Sequence, residues 1–298
     1  MAFCIAIPHL KDAYYLNMNY GMVEEARKLG VGFRLLDAGG YPNLARQIEQ
    51  IRDCIAKGAD ALIVTTVSYD GLTPIMRQIA EQHIPVIAAV NDIADEGISA
   101  KAAVSWREMG RIAGQVIADR HPKGSAPVDV AWFPGPREGG WVQFVDAGFR
   151  EAIDRSSARI VATEYGDTGR VVQIRLIEEV LAEHPGLSYL IGSAPMAEAA
   201  VPILRSKGLS DQIGIVSDYM THGVYRALRR GRILAAPTDL PVLQGKLAIE
   251  MAVRAVEGKL EIRHAGPQIR LLTPHNIDKI GTENLFAPPD FAPAFVVE

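Results

Sequence analysis

An α/β fold of two doubly wound parallel-sheet lobes, joined by a hinge that the chain crosses more than once, is what this sequence predicts. Three observations carry that expectation. Short apolar runs alternate with amphipathic stretches almost without interruption, the pattern of parallel sheets covered by helices. The runs are continuously apolar rather than alternating, as in strands buried on both faces. The series also has a seam after residue 92 and starts afresh near residue 128.

In the first series, strands are expected at 3–7, 33–37, 61–65 and 86–90, with helices at 16–29, 43–57 and 72–82. Lys28-Leu29-Gly30 and Lys57-Gly58 read as helix stops, because glycine readily takes the left-handed conformation that ends a helix. The seam carries Ala102-Ala103-Val104 and a helix over 108–120 that begins near Trp106. The second series has strands at 128–133, 160–165, 189–193 and 213–217, and helices at 141–154, 170–184, 196–207 and 221–230. A segment at 234–239, a helix at 242–256 and a strand-like run at 269–272 follow. The resulting division gives 1–104 plus 240–268 to an N-terminal lobe and 105–239 plus 269–298 to a C-terminal lobe. The lobes share an architecture but no close sequence repeat, and the tail from Pro288 to Pro293 is proline-rich.

Composition narrows the function. Hydrophobic residues make up 48% and charged residues 22% of the chain, ordinary for a soluble globular protein. A formal net charge of -4 gives no electrostatic basis for nucleic acid or an anionic membrane as partner. No apolar run approaches the ~20 residues of a membrane span. No leader is legible before Phe3-Cys4-Ile5-Ala6-Ile7, a start that fits a mature or truncated chain. Cys4 and Cys54 fit two buried thiols or a disulfide formed in an oxidising compartment.

No enzyme signature is legible: there is no GxSxG, Walker A loop, HExxH or strand-following GxGxxG. Gly135–Gly140 is glycine-rich but lacks the Lys-Ser or Lys-Thr of a phosphate loop, and the seven histidines are scattered. The chain is therefore read as a binding module without cofactor or metal. A repressor is not expected, since no helix-turn-helix is legible ahead of the first strand and no basic patch replaces one.

Ligands of open parallel sheets sit beyond the carboxyl ends of the strands, and two such sheets facing each other form a cleft that closes by hinge motion. Those ends carry Pro8 to Tyr15, Ala38 to Asn43, Thr66 to Tyr69, Asn91-Asp92, Gly135 to Trp141, Tyr165-Gly166-Asp167, Ala194-Pro195 and Asp218-Tyr219. Aromatic residues recur there. Aromatic faces attract cationic nitrogen at ~0.5–2 kcal/mol per contact, which points to a methylated ammonium headgroup; a stacked sugar also fits. Asp12 stands where a helix N-cap belongs, and Asp239 is placed either to shape a crossover or to reach the cleft.

Several segments resemble a known family. They are Ile7-Pro8-His9-Leu10-Lys11-Asp12, the run from Asn19 to Ala26, Asp37 to Asn43, Arg120 to Ser125, Thr221 to Arg226, Ala235 to Asp239, and Gln244-Gly245. Together they resemble the TorT-type periplasmic sensors of trimethylamine N-oxide, which have the type I periplasmic binding protein fold. The resemblance implies a periplasmic location, and with it permission for a Cys4–Cys54 disulfide. It implies no chemistry, a membrane sensor histidine kinase of the TorS type as partner, and an aromatic box for trimethylamine N-oxide. The candidate ligand-binding set is Tyr15, Tyr41, Trp141 and Tyr219, with Asp12 acting through water, and with Tyr14 and Asp239. One position departs from the family pattern: Tyr15 stands where tryptophan is expected, so the cation attraction there is weaker. A solute-binding protein for a sugar or another methylated amine, serving an ABC transporter, and a repressor effector domain are the alternatives.

Overall fold

A computed structural model describes residues 1–298. The first series folds as β1 (Ala2–Ile7), α1 (Ala13–Leu29), β2 (Gly32–Asp37), α2 (Leu44–Ala56), β3 (Ala61–Val64), α3 (Thr73–Glu81), β4 (Val86–Ala89) and β5 (Ala100–Ala102). The first crossing leads into α4 (Trp106–Arg120). The second series is β6 (Val128–Gly135), α5 (Val142–Ile153), β7 (Ala158–Tyr165), α6 (Arg170–Glu183), β8 (Tyr189–Gly192), α7 (Ala194–Ser206), β9 (Gly214–Ser217) and α8 (His222–Arg229). Then come β10 (Ala236–Thr238), α9 (Pro241–Val256), β11 (His264–Ala265), β12 (Arg270–Leu272) and β13 (Val296–Val297).

Two main sheets result. The first has the order β11-β5-β4-β3-β1-β2-β13, the second β7-β6-β8-β9, and β10 pairs with β12 in a separate antiparallel ribbon. Every pairing within the two main sheets is parallel except that of β13 with β2. The central strands β1, β3 and β4 are buried along nearly their whole length, which explains their uninterrupted Ile, Val and Ala. Cys4 on β1 and Cys54 on α2 form a disulfide, with Cα atoms 6.2 Å apart.

Each helix that follows a crossing docks on the first helix of the lobe it enters: α4 on α5, and α9 on α1. Glycines make both seams close. A Cβ on Gly21 or Gly245 would overlap the carbonyl oxygen of Val242 or Met18, and one on Gly110 or Gly148 that of Val145 or Arg107.

The tail corrects the expected division. Residues 269–298 do not all belong to the second lobe, because Val296–Val297 pairs with β2 at the edge of the first sheet. The cause lies on α1. The buried Asn17 accepts a hydrogen bond from the Ala287 N–H at 2.9 Å, and Asn19 accepts from the Ala294 N–H at 2.8 Å and donates to its carbonyl at 3.0 Å. A buried amide left unpaired is costly, and the tail backbone supplies the partners.

Candidate functional site

The carboxyl ends of both main sheets meet in a cleft that encloses a small cavity of about 20 Å³, a little more than the ~10–15 Å³ that one water needs. Its walls are Asp12, Tyr14, Tyr15, Tyr41, Val90 and Asn91 from the first lobe and Trp106, Trp141, Thr168 and Tyr219 from the second. Six of the seven sequence candidates line it. Asp239 does not, and this corrects its placement: it sits behind the wall, accepting a 2.6 Å hydrogen bond from the Tyr14 hydroxyl and another of 2.6 Å from Gln244 Nε2. Its direct link to the cavity wall is the hydrogen bond from Tyr14.

The aromatic side chains close on themselves. Ring centroids follow one another from Tyr15 to Tyr14 at 5.7 Å, to Tyr219 at 5.6 Å, to Trp106 at 6.3 Å, to Trp141 at 5.8 Å and to Tyr41 at 4.9 Å. The Tyr41 and Tyr15 hydroxyls, 2.8 Å apart, complete the circuit. These separations lie within the ~4.5–7 Å range of favourable aromatic pairs, and most of the pairs meet edge to face. The rings that line the cavity come from both lobes.

Local sequence explains each position. Asp12 caps α1, its Oδ1 accepting from the Tyr14 N–H at 2.9 Å, so the two tyrosines of the first turn are fixed against the cleft. Tyr41 rides on a loop where Gly39 and Gly40 have φ of 86° and 147°, conformations that side chains with a Cβ rarely adopt. Trp141 stands at the head of α5, just after Gly139 and Gly140. Asn91 donates to the Thr66 carbonyl at 2.8 Å and to the Tyr41 hydroxyl at 3.3 Å. It is aimed by Val90, whose φ of 62° is strained for a β-branched residue.

Val90, Asn91, Trp106 and Thr168 were not selected from sequence. Asn91 does follow a strand, so its place was readable, but a lone amide in a loop carries little signal. Trp106 follows the three-residue β5, a strand too short to be legible in the sequence, so the strand-end rule does not reach it.

Burial sets the electrostatics. Asp12 is pushed up to about 6 by desolvation, against the opposing hydrogen bonds from the Tyr14 N–H and the Tyr219 hydroxyl. Burial raises Asp239 too, opposed by Tyr14 and Gln244. Asp218 is wholly buried, neither carboxyl oxygen has a hydrogen-bond partner, and desolvation drives it well above the usual carboxylate range. An unpaired buried carboxylate is expensive, so Asp218 is held neutral. The cavity wall is thus apolar and π-rich, with one carboxyl group, Asp12, able to change charge near neutrality.

Polar contacts join the lobes around the box. The Tyr219 hydroxyl donates to Asp12 Oδ2, and Trp106 Nε1 donates to the Val90 carbonyl at 2.8 Å. Thr168 Oγ1 lies 3.3 Å from His9 Nε2. Tyr69 and Phe144 meet at the rim, 5.4 Å between centroids, and Gly140 packs against the Asp92 carbonyl. The lobes are closed on each other.

A closed cleft between two parallel-sheet lobes, walled by rings from both, defines a two-lobed small-molecule binding protein. The chain belongs to the periplasmic binding protein family, whose domain model matches residues 3–260. Over 295 residues it is 37% identical to the periplasmic protein TorT of Escherichia coli strain K12, covering 98% of this chain and 83% of TorT. Its fold superimposes on the crystal structure of the TorS sensor domain–TorT complex in the presence of TMAO, with 38% identity, a TM-score of 0.88 and 99% coverage of both chains. An ABC transporter solute binding protein from Bradyrhizobium sp. BTAi1, solved with bound bis-tris, is 43% identical, with a TM-score of 0.84 and coverage of 99% of this chain and 88% of that one. The family and TorT are periplasmic, and no helix here is long and apolar enough to cross a membrane.

Proposed function

We propose that this periplasmic binding protein senses trimethylamine N-oxide, holds it in the aromatic box without converting it, and reports occupancy to a membrane sensor histidine kinase of a two-component system. The observation that carries the reading is the closed circuit of six rings contributed by both lobes. Three methyl groups on a positive nitrogen suit π-faces on all sides. Tyr14, Tyr15, Tyr41, Trp141 and Tyr219 supply faces, as does Trp106, and Asp12 supplies a polar group that works directly or through water. Because the box draws walls from both lobes, an occupant stabilises the closed state, and the signal is a shift in the open–closed population. The likeness to TorT, solved in complex with the TorS sensor domain, supports the kinase as partner.

Calorimetry with trimethylamine N-oxide, betaine, choline and a sugar panel tests the ligand. Saturable one-to-one binding of the N-oxide at low concentration, unchanged by NMR after a day, is the expected result; a response to sugars alone refutes it. The second reading, transport-linked binding of another amine, is favoured by the Bradyrhizobium protein, since bis-tris is itself a tertiary amine. Ligand-dependent capture by a purified TorS-type sensor domain separates sensing from transport.

A further inference from the structure

We propose that His9 is a positioning residue that couples the aromatic box to lobe closure, bonding Thr168 across the cleft while bracing Tyr15 and Tyr41 from behind. The inference rests on the box being the ligand site. His9 lies in the loop between β1 and α1 and is 1% exposed. Its ring stands edge-on to Tyr15 at 5.2 Å and to Tyr41 at 5.3 Å. These are the two residues whose hydroxyls close the aromatic circuit. From the same ring, Nε2 reaches Thr168 Oγ1 of the second lobe at 3.3 Å, and Thr168 is itself part of the cavity wall.

Desolvation lowers the pKa of His9, offset by Asp167 and Asp37 and reinforced by Lys11. The ring is therefore neutral, and its Nδ1 is buried with no partner. A neutral imidazole offers one donor and one acceptor, and only the Thr168 bond uses either. A buried ring with one nitrogen idle is not the economical way to fill a core. The arrangement makes sense if the Thr168 bond is what the histidine is there to make. An occupant that holds Tyr15 and Tyr41 in place fixes the His9 ring, and the fixed ring presents Nε2 to the approaching lobe. Opening breaks that bond and frees both tyrosines to move.

The test measures lobe separation and affinity together. Spin labels on Gln78→Cys and Glu178→Cys, both exposed and on opposite lobes, report the distance distribution with and without trimethylamine N-oxide. His9→Phe keeps a ring against the tyrosines but removes the bond; His9→Gln keeps a polar nitrogen within reach of Thr168. His9→Phe is expected to lengthen the label distance and weaken binding by roughly 2- to 12-fold, the range for loss of one neutral hydrogen bond, while His9→Gln restores most of the closed population. In a Thr168→Val background His9→Phe is expected to add nothing, as for two residues that act through one contact. An equal effect of His9→Phe in both backgrounds, or no effect on the label distance, overturns the proposal. Failure of the unsubstituted chain to bind the N-oxide refutes the ligand reading alone, since the label distances are read in ligand-free protein as well.

Discussion

Asp12→Asn isolates one buried charge in the closed cleft. Asparagine keeps the capping oxygen for the Tyr14 N–H, so α1 starts as before, while its Nδ2 takes the place of the oxygen that accepts from Tyr219 and donates to that hydroxyl instead. The side chain no longer ionises. Burial raises the folded pKa of Asp12 from 3.8 to about 6, a difference worth about 3 kcal/mol at most between the two protonation states. For an acid whose folded pKa is raised, the folded closed form binds the proton more tightly than the unfolded chain does. Its stability is full below the unfolded pKa of 3.8, falls as pH rises towards 6, and is flat above. The asparagine variant escapes that loss. Its stability relative to the wild type, from urea unfolding without ligand, is expected to be near zero at pH 4 and to grow to ~2–3 kcal/mol by pH 7.5. A difference that stays constant across this range refutes the assignment of a raised pKa to Asp12 and, with it, desolvation by burial as its cause.

Trp141→Ala removes a ring that packs on both Tyr41 and Trp106; calorimetry is expected to show at least a ~30-fold loss of N-oxide affinity, from a desolvated contact of ~2 kcal/mol, in a protein whose far-UV circular dichroism is unchanged. Gly140→Ala places a Cβ against the Asp92 carbonyl of the opposite lobe, so it is expected to leave the ligand-free melting temperature nearly unchanged while ligand no longer compacts the molecule in small-angle scattering. Cys4→Ser with Cys54→Ser opens a loop with a sequence separation of 50; the chain-entropy model gives a loss of ~4 kcal/mol, read as a fall in urea midpoint.

How much of this was legible beforehand depended on the kind of signal. The alternation of apolar runs and amphipathic helices located the strands that build both sheets, because burial on two faces leaves an unmistakable composition. Two-residue strands such as His264–Ala265 and Val296–Val297 left none, since their pairing is decided by neighbours far away in sequence. The site divided similarly. Tyr15, Tyr41, Trp141 and Tyr219 follow strand ends, and topology alone carried them to the cleft. Trp106 opens the helix after the first crossing, and its arrival at the box is set by how α4 docks on α5. Asp239 had two readings, and the structure separates them: its nearness to the cleft is real, but the Tyr14 ring intervenes. Asp12 also had two, cap and cleft, and one carboxyl group meets both because its two oxygens face different partners.

The glycine seams between α1 and α9 and between α4 and α5 bear on how a signal leaves the cleft. Where helices touch through side chains, a small displacement is absorbed by rotamer changes. Where backbone lies on backbone, nothing soft remains between them, and the pair moves as one body. Such a pair passes a displacement at one end to the other without losing it to rotamer changes. A receptor reading the other end needs no view of the ligand at all.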